Sequence, residues 1–127
     1  MRHEEVNGRR DVSTARTEAA RQGKWAPYVA EGIGTFGLVF AGCGAIMINT
    51  LSGGQVTHVG VSLVFGLIIT VMIYSLGHIS GAHFNPAVTL GFVLVRHFPL
   101  KRLVGYWLAQ GVGATPVSYT HLTLPTI

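Results

Sequence analysis

Six polar or helix-breaking residues fall within nine positions of this sequence, in the run His78-Ile79-Ser80-Gly81-Ala82-His83-Phe84-Asn85-Pro86. Histidines of this kind can ligate metals or relay protons. No carboxylate or Cys stands near His78 or His83 in sequence, so bracing a loop is the preferred reading for both. The end of the run carries different chemistry. Asn85 suits a helix N-cap and Pro86 the first helical position, with Ala87 following. Such a cap uses the Asn side-chain oxygen and leaves its NH2 group free to donate to a passing molecule. A half-helix opened this way points its positive dipole end at the same molecule. The sequence offers no nucleophile paired with a base, no paired catalytic acids and no metal cluster, so an enzyme is not expected. No cofactor is expected either. The single Cys43 forms no disulfide within the chain and reads as a small packing residue.

The elements that must hold these residues are apolar. All nine Lys and Arg lie at or before Lys24 or at or after Arg96, and the 71 residues between them carry one formal charge, Glu31. A soluble fold needs charged residues at short intervals on its wet face, so this chain reads as an all-α integral membrane protein. The pI near 9.7 comes from two basic flanks and does not mark a nucleic-acid binder. Residues 1–24 mix basic and acidic side chains without an apolar run and read as a disordered, solvated tail.

Span lengths follow from the bilayer. About 20 apolar residues cross a ~30 Å hydrocarbon core. Val29 to Ile48 makes one crossing, approached through Trp25, Pro27 and Tyr28. Ser52-Gly53-Gly54 marks a turn, and Val59 to Gly77 makes a second crossing. The uncharged stretch from Val59 to Val95 would be ~55 Å long as one helix, so it must break. The piece from Pro86 to Val95 is ~15 Å, about half a membrane. Basic residues favour the cytoplasmic side. The N-terminal tail is basic, residues 49–58 hold no Lys or Arg, and 96–102 hold Arg96, Lys101 and Arg102. A segment that dips to mid-membrane and returns keeps every basic residue on one side, so 78–95 is expected to be re-entrant. Leu103 opens a third span, with Tyr106 and Trp107 expected near its cytoplasmic end. Non-helical backbone at that depth is tolerated only when buried in protein or facing a watery cavity, which makes the Asn85 turn a pore candidate.

Three stretches carry a family resemblance: AEGIGTFGLVFAGCG, SLGHISGAHFNPAVT and FPLKRLVGYWLAQ. The sequence resembles the aquaporin (major intrinsic protein) family over residues 29–114, with a nodulin-26-like or bacterial flavour. The resemblance implies one inverted repeat of such a channel: two full transmembrane helices, a re-entrant half-helix opened by Asn85-Pro86-Ala87, and a truncated third helix. It implies that Asn85 lines the pore. It implies that the backbone carbonyls of Gly81, Ala82, His83 and Phe84 form an acceptor ladder, and that Phe65 belongs to the selectivity filter. Glu31 would brace the loop, as His78 would. From the residues alone, Phe65 on an apolar helix reads as packing; only the resemblance makes the filter role an equal reading. Glu31, about one turn inside the membrane, reads as structural or interfacial.

Water or small neutral solutes, the lipid bilayer and a homotetramer of the full-length parent are the partners so implied, at the cell membrane with a cytoplasmic N-terminus. The chain departs from the family by carrying less than one full repeat pair. The second Asn-Pro-Ala motif and the filter arginine are not in it. The segment Pro116 to Ile127, PVSYTHLTLPTI, resembles the translation of a transposon-end sequencing adapter. Residues 116–127 are therefore expected to be read-through, and 25–115 to be the partial repeat, which alone is not expected to conduct.

Overall fold

The computed structural model describes residues 23–123, with side chains as far as Tyr119. The tail expected over 1–24 thus falls outside the described residues but for its last two. Four α-helices appear among the described residues: α1 (Ala26–Leu51), α2 (Thr57–Ser80), α3 (Pro86–Leu94) and α4 (Leu103–Thr123), the last entered through a 3-10 turn at Leu100–Arg102. At 1.5 Å per residue, α1 and α2 are about 39 and 36 Å long, and both are apolar enough to cross a membrane. Each runs a few residues beyond the expected span. Gly53 and Gly54, at φ 68° and 90°, reverse the chain between them, and the Asn49 side chain accepts the amide of Thr57 at 2.8 Å.

Helix directions follow from side-chain contacts. Phe65 of α2 lies over Gly42 of α1 and Met72 over Gly37, so α2 runs antiparallel to α1. Tyr28 of α1 meets Gly105 of α4, and Gly32 meets Ala109 and Gly113, so α4 runs parallel to α1. Hence α2 ends, and α4 begins, at the end of the bundle where α1 begins. Everything between Ser80 and Leu103, α3 included, leaves that end and returns to it. The re-entrant reading is therefore the fold, and α3 at nine residues is about 14 Å long, too short to cross.

α1 lies between α2 and α4, and α3 rests on α4. The buried residues gather on one face of α1, at Ala30, Glu31, Gly34, Thr35 and Gly42. α2 buries only Ser80; its Phe65 and Met72 pack half-buried on α1, while Val59, Leu63, Leu67, Val71 and Ile73 face outward. That distribution suits a lipid solvent.

α4 differs from expectation at its far end. No break falls at Pro116, and the helix continues to Thr123. The expected boundary at 115/116 has no counterpart in the backbone of 116–123, while 124–127 lie outside the described residues. Two hydroxyls there bond back to the helix. Thr115 Oγ1 donates to the Gly111 carbonyl at 2.7 Å and Ser118 Oγ to that of Ala114 at 3.3 Å.

Candidate functional site: a turn braced on a buried carboxylate

The connection from α2 to α3 has an unusual backbone. Gly81 caps α2 in the left-handed region at φ 88°, and Ala82 and Phe84 follow at φ 53° and 48°. A bulky residue in that region is strained and persists only when its surroundings hold it. What holds it is a series of amide hydrogen bonds. The Gly81 amide donates to the Gly77 carbonyl at 2.9 Å and the Ala82 amide to Ser80 Oγ at 3.1 Å. The His83 amide donates to Glu31 Oε1 at 2.9 Å, and the Phe84 amide to Glu31 Oε2 at 2.7 Å. The Phe84 ring lies against α1 where a Cβ on Gly34 would stand inside it.

These bonds fix the carbonyls too. No peptide bond here is cis, so each carbonyl points opposite to the amide of the next residue. With the amides of Ala82, His83 and Phe84 drawn toward Ser80 and Glu31, the carbonyls of Gly81, Ala82 and His83 point the other way. Among the described residues no hydrogen bond ends on them, or on the Phe84 carbonyl.

A further layer locks Glu31 in place. Gln110 of α4 donates from Nε2 to Glu31 Oε2 at 2.8 Å and to Thr89 Oγ1 at 3.0 Å. The Thr89 hydroxyl donates to the Asn85 carbonyl at 3.0 Å. Its one hydrogen is thereby used, so the His83 Nδ1, 3.2 Å away, donates to it. The His83 ring is buried between Phe92 and Phe98, with centroids 4.7 and 4.8 Å away. Tyr106 Oη donates to the Ser80 carbonyl at 2.7 Å, and Trp107 Nε1 to the Pro86 carbonyl at 3.1 Å. Glu31 and Thr89 are fully buried, and Gln110 and Tyr106 nearly so. Glu31 is the acceptor in each of its three hydrogen bonds. Among the described residues two buried side-chain atoms have no partner, Thr35 Oγ1 and Gln110 Oε1.

The expected site residues fall into place unevenly. Asn85 is exposed at the turn, and its Oδ1 accepts the Ala87 amide at 2.8 Å, which leaves its NH2 without a partner among the described residues. Pro86 opens α3. Glu31 meets the loop directly. Phe65 is half-buried over Gly42. His78 departs from expectation: it is exposed in the last turn of α2 and makes no hydrogen bond among the described residues. The bracing assigned to it is done by Ser80, Thr89, Tyr106 and Gln110. Tyr106 stands in the first turn of α4, as expected, and is 1% exposed, turned into the core. Sequence reasoning named none of Ser80, Thr89 and Gln110. The available signal was a lone Gln in an apolar helix, which membrane burial makes costly unless paired. Among the described residues no three His, Cys, Asp or Glu side chains gather to hold a metal.

Comparison with known proteins places this geometry in a family context. A family model described as major intrinsic protein matches residues 18–123. The chain is 55% identical over 92 residues to aquaporin NIP1-1 of Zea mays, covering 72% of this chain and 33% of that protein. It is 55% identical over 87 residues to aquaporin NIP1-1 of Oryza sativa subsp. japonica, covering 68% and 31%. It is 52% identical over 87 residues to aquaporin NIP3-1 of Arabidopsis thaliana, covering 68% and 27%. The chain thus matches about a third of the length of these curated relatives.

Proposed function

The chain belongs to the major intrinsic protein family, and from that premise we propose that it is one half of a membrane channel that passes water, and small neutral solutes, passively. The observation that carries the reading is the peptide geometry of the braced turn. Glu31 and Ser80 take the amides, and the carbonyls of Gly81, Ala82 and His83 are left open on the opposite side. Together with Phe84 they offer a column of acceptors, and the Asn85 NH2 offers a donor at its end. A water molecule moving along them exchanges one hydrogen bond for another, which keeps desolvation inexpensive. The positive end of α3 stands at the same point and opposes cations. Nothing is chemically converted, and no cofactor takes part.

In this reading Asn85, Pro86 and Ala87 form the narrow turn of the pore. Phe65 narrows its mouth and favours water over glycerol. The relatives are named aquaporins, which supports a water channel. The whole protein is proposed to sit in the cell membrane with a cytoplasmic N-terminus and to assemble as a homotetramer. Residues 116–127 are proposed to be adapter read-through, which genomic sequence across the codon for Thr115 tests: an unbroken frame encoding PVSYTHLTLPTI rejects it.

The function is tested with the complete gene product in proteoliposomes under an osmotic step. Rapid water flux with slow glycerol entry is expected. Glycerol entering as fast as water removes the filter role of Phe65. A water flux equal to that of empty vesicles removes the channel reading altogether.

A further inference from the structure

A groove lies away from the braced turn, between α1 and α4. Its volume is about 750 Å3, within the roughly 300–1,000 Å3 of small-molecule sites. The two helices cross tightly at Gly113, where a Cβ would run into the Gly32 carbonyl. Nearer the helix N-termini the Tyr28 ring lies against Gly105. The groove lining is apolar along Gly32, Gly105, Leu108 and Val112. Its rim is different: Lys24 stands at the start of α1 and Arg102 at the start of α4. Because the helices run parallel, both cations stand at the same end, with Trp25 beside them.

No acid balances this pair among the described residues. Glu31 is the one carboxylate between 23 and 123, and it is fully buried with its oxygens taken by His83, Phe84 and Gln110. Lys24 and Arg102 are both exposed. The groove thus combines an apolar trough running along two membrane helices with two cations at one mouth that no carboxylate among the described residues balances. Pockets of this kind between transmembrane helices suit anionic lipid headgroups.

We propose that this groove is a binding site for an anionic phospholipid, whose phosphate lies between Lys24 and Arg102 and whose acyl chain lies along Gly32, Gly105, Leu108 and Val112. Trp25 packs against the glycerol region, where an amphipathic ring is favoured. The site is independent of what the channel conducts. It requires only that α1 and α4 stand in a bilayer.

The test is native mass spectrometry of residues 1–127 in a neutral detergent, titrated with phosphatidylglycerol or with phosphatidylcholine of the same acyl chains. Phosphatidylglycerol is expected to bind at roughly tenfold lower concentration, since each basic residue near a lipid surface contributes appreciably. A Lys24→Ser/Arg102→Ser double variant is expected to erase that preference. Lys101→Ser, a cation outside the groove, is expected to keep it, which separates a site from diffuse surface charge. All three positions are exposed, so the fold survives these changes. Equal binding of the two lipids, or a preference that survives the double variant, overturns the proposal. So does glycerol 3-phosphate matching the lipid, which would make the ligand a free phosphate. A spectrum of dimers that take up no lipid would assign the groove to a second copy of the chain and likewise overturn it.

Discussion

Glu31 Oε2 accepts the amide hydrogen of Phe84 at 2.7 Å, while the other oxygen of the same carboxylate takes that of His83 at 2.9 Å. One side chain thus holds two consecutive peptide planes of a segment more than fifty residues away in sequence. Its effect is directional. It turns the Ala82 and His83 carbonyls outward and keeps Phe84 in a left-handed conformation that a free chain would leave.

Removing the carboxylate should therefore cost much more than one hydrogen bond. Glu31→Ala leaves two buried amides and the Gln110 NH2 without their shared partner. Bonds to charged groups contribute about 1.5–3 kcal/mol each, so a loss on the order of 3 kcal/mol or more is expected. Glu31→Gln keeps one acceptor oxygen and should lose clearly less. Unfolding in mixed micelles with increasing SDS measures both. Equal stability of Glu31→Ala and the parent chain would remove the brace from the account.

Tyr106→Phe isolates the second support. The variant keeps the ring between Tyr28 and His83, whose centroids lie 5.6 and 5.1 Å away, and deletes only the hydroxyl bonded to Ser80. A loss of about 1–2 kcal/mol is expected in the same titration. An unchanged midpoint would mean that the Ser80 carbonyl finds another donor at no cost.

Sterics separate two glycines. Any side chain on Gly34 meets the Phe84 ring, whereas a Cβ on Gly66 meets nothing within 4 Å. Gly34→Val should destabilise by about 1–3 kcal/mol through overpacking. Gly66→Ala should be neutral or gain up to about 1 kcal/mol from helix propensity. Folded yield and the SDS midpoint report both, and the reverse order would contradict the packing of Phe84 on α1.

The common end shared by the α1 start, the α2 end and the α4 start predicts a labelling pattern. In a Cys43→Ser background, Cys placed at Ser52 and at Lys101 should react with an impermeant maleimide from opposite faces of sealed vesicles. Reaction of both sites from the same face would make α3 part of a full crossing.

Much of this frame was legible because bilayer thickness is a ruler. Val59 to Val95 is too long for one crossing, and the piece from Pro86 to Val95 is too short for another, so Pro86 reads as the start of a half-helix. Asn85 as its cap was readable for the same local reason, since Asn-Pro is a helix start. The brace was only half legible. Glu31 announces itself as the lone charge, but Gln110, 79 residues away, is joined to it only by the fold. Tyr106 resembles an interfacial anchor until α1 and His83 cover it. His78 sits in the same polar run as His83, yet it caps the exposed side of α2. Local spacing cannot tell which of two histidines a turn will bury.

The central claim is that these residues form one wall of a water pore whose other wall lies elsewhere in a longer protein. Stopped-flow light scattering on matched proteoliposomes tests it most directly, with the complete gene product in one preparation and residues 1–127 alone in another. The account predicts osmotic shrinkage several-fold faster than empty vesicles for the complete protein, and a rate indistinguishable from empty vesicles for residues 1–127. Fast shrinkage with residues 1–127 alone, or none with the complete protein, would contradict it.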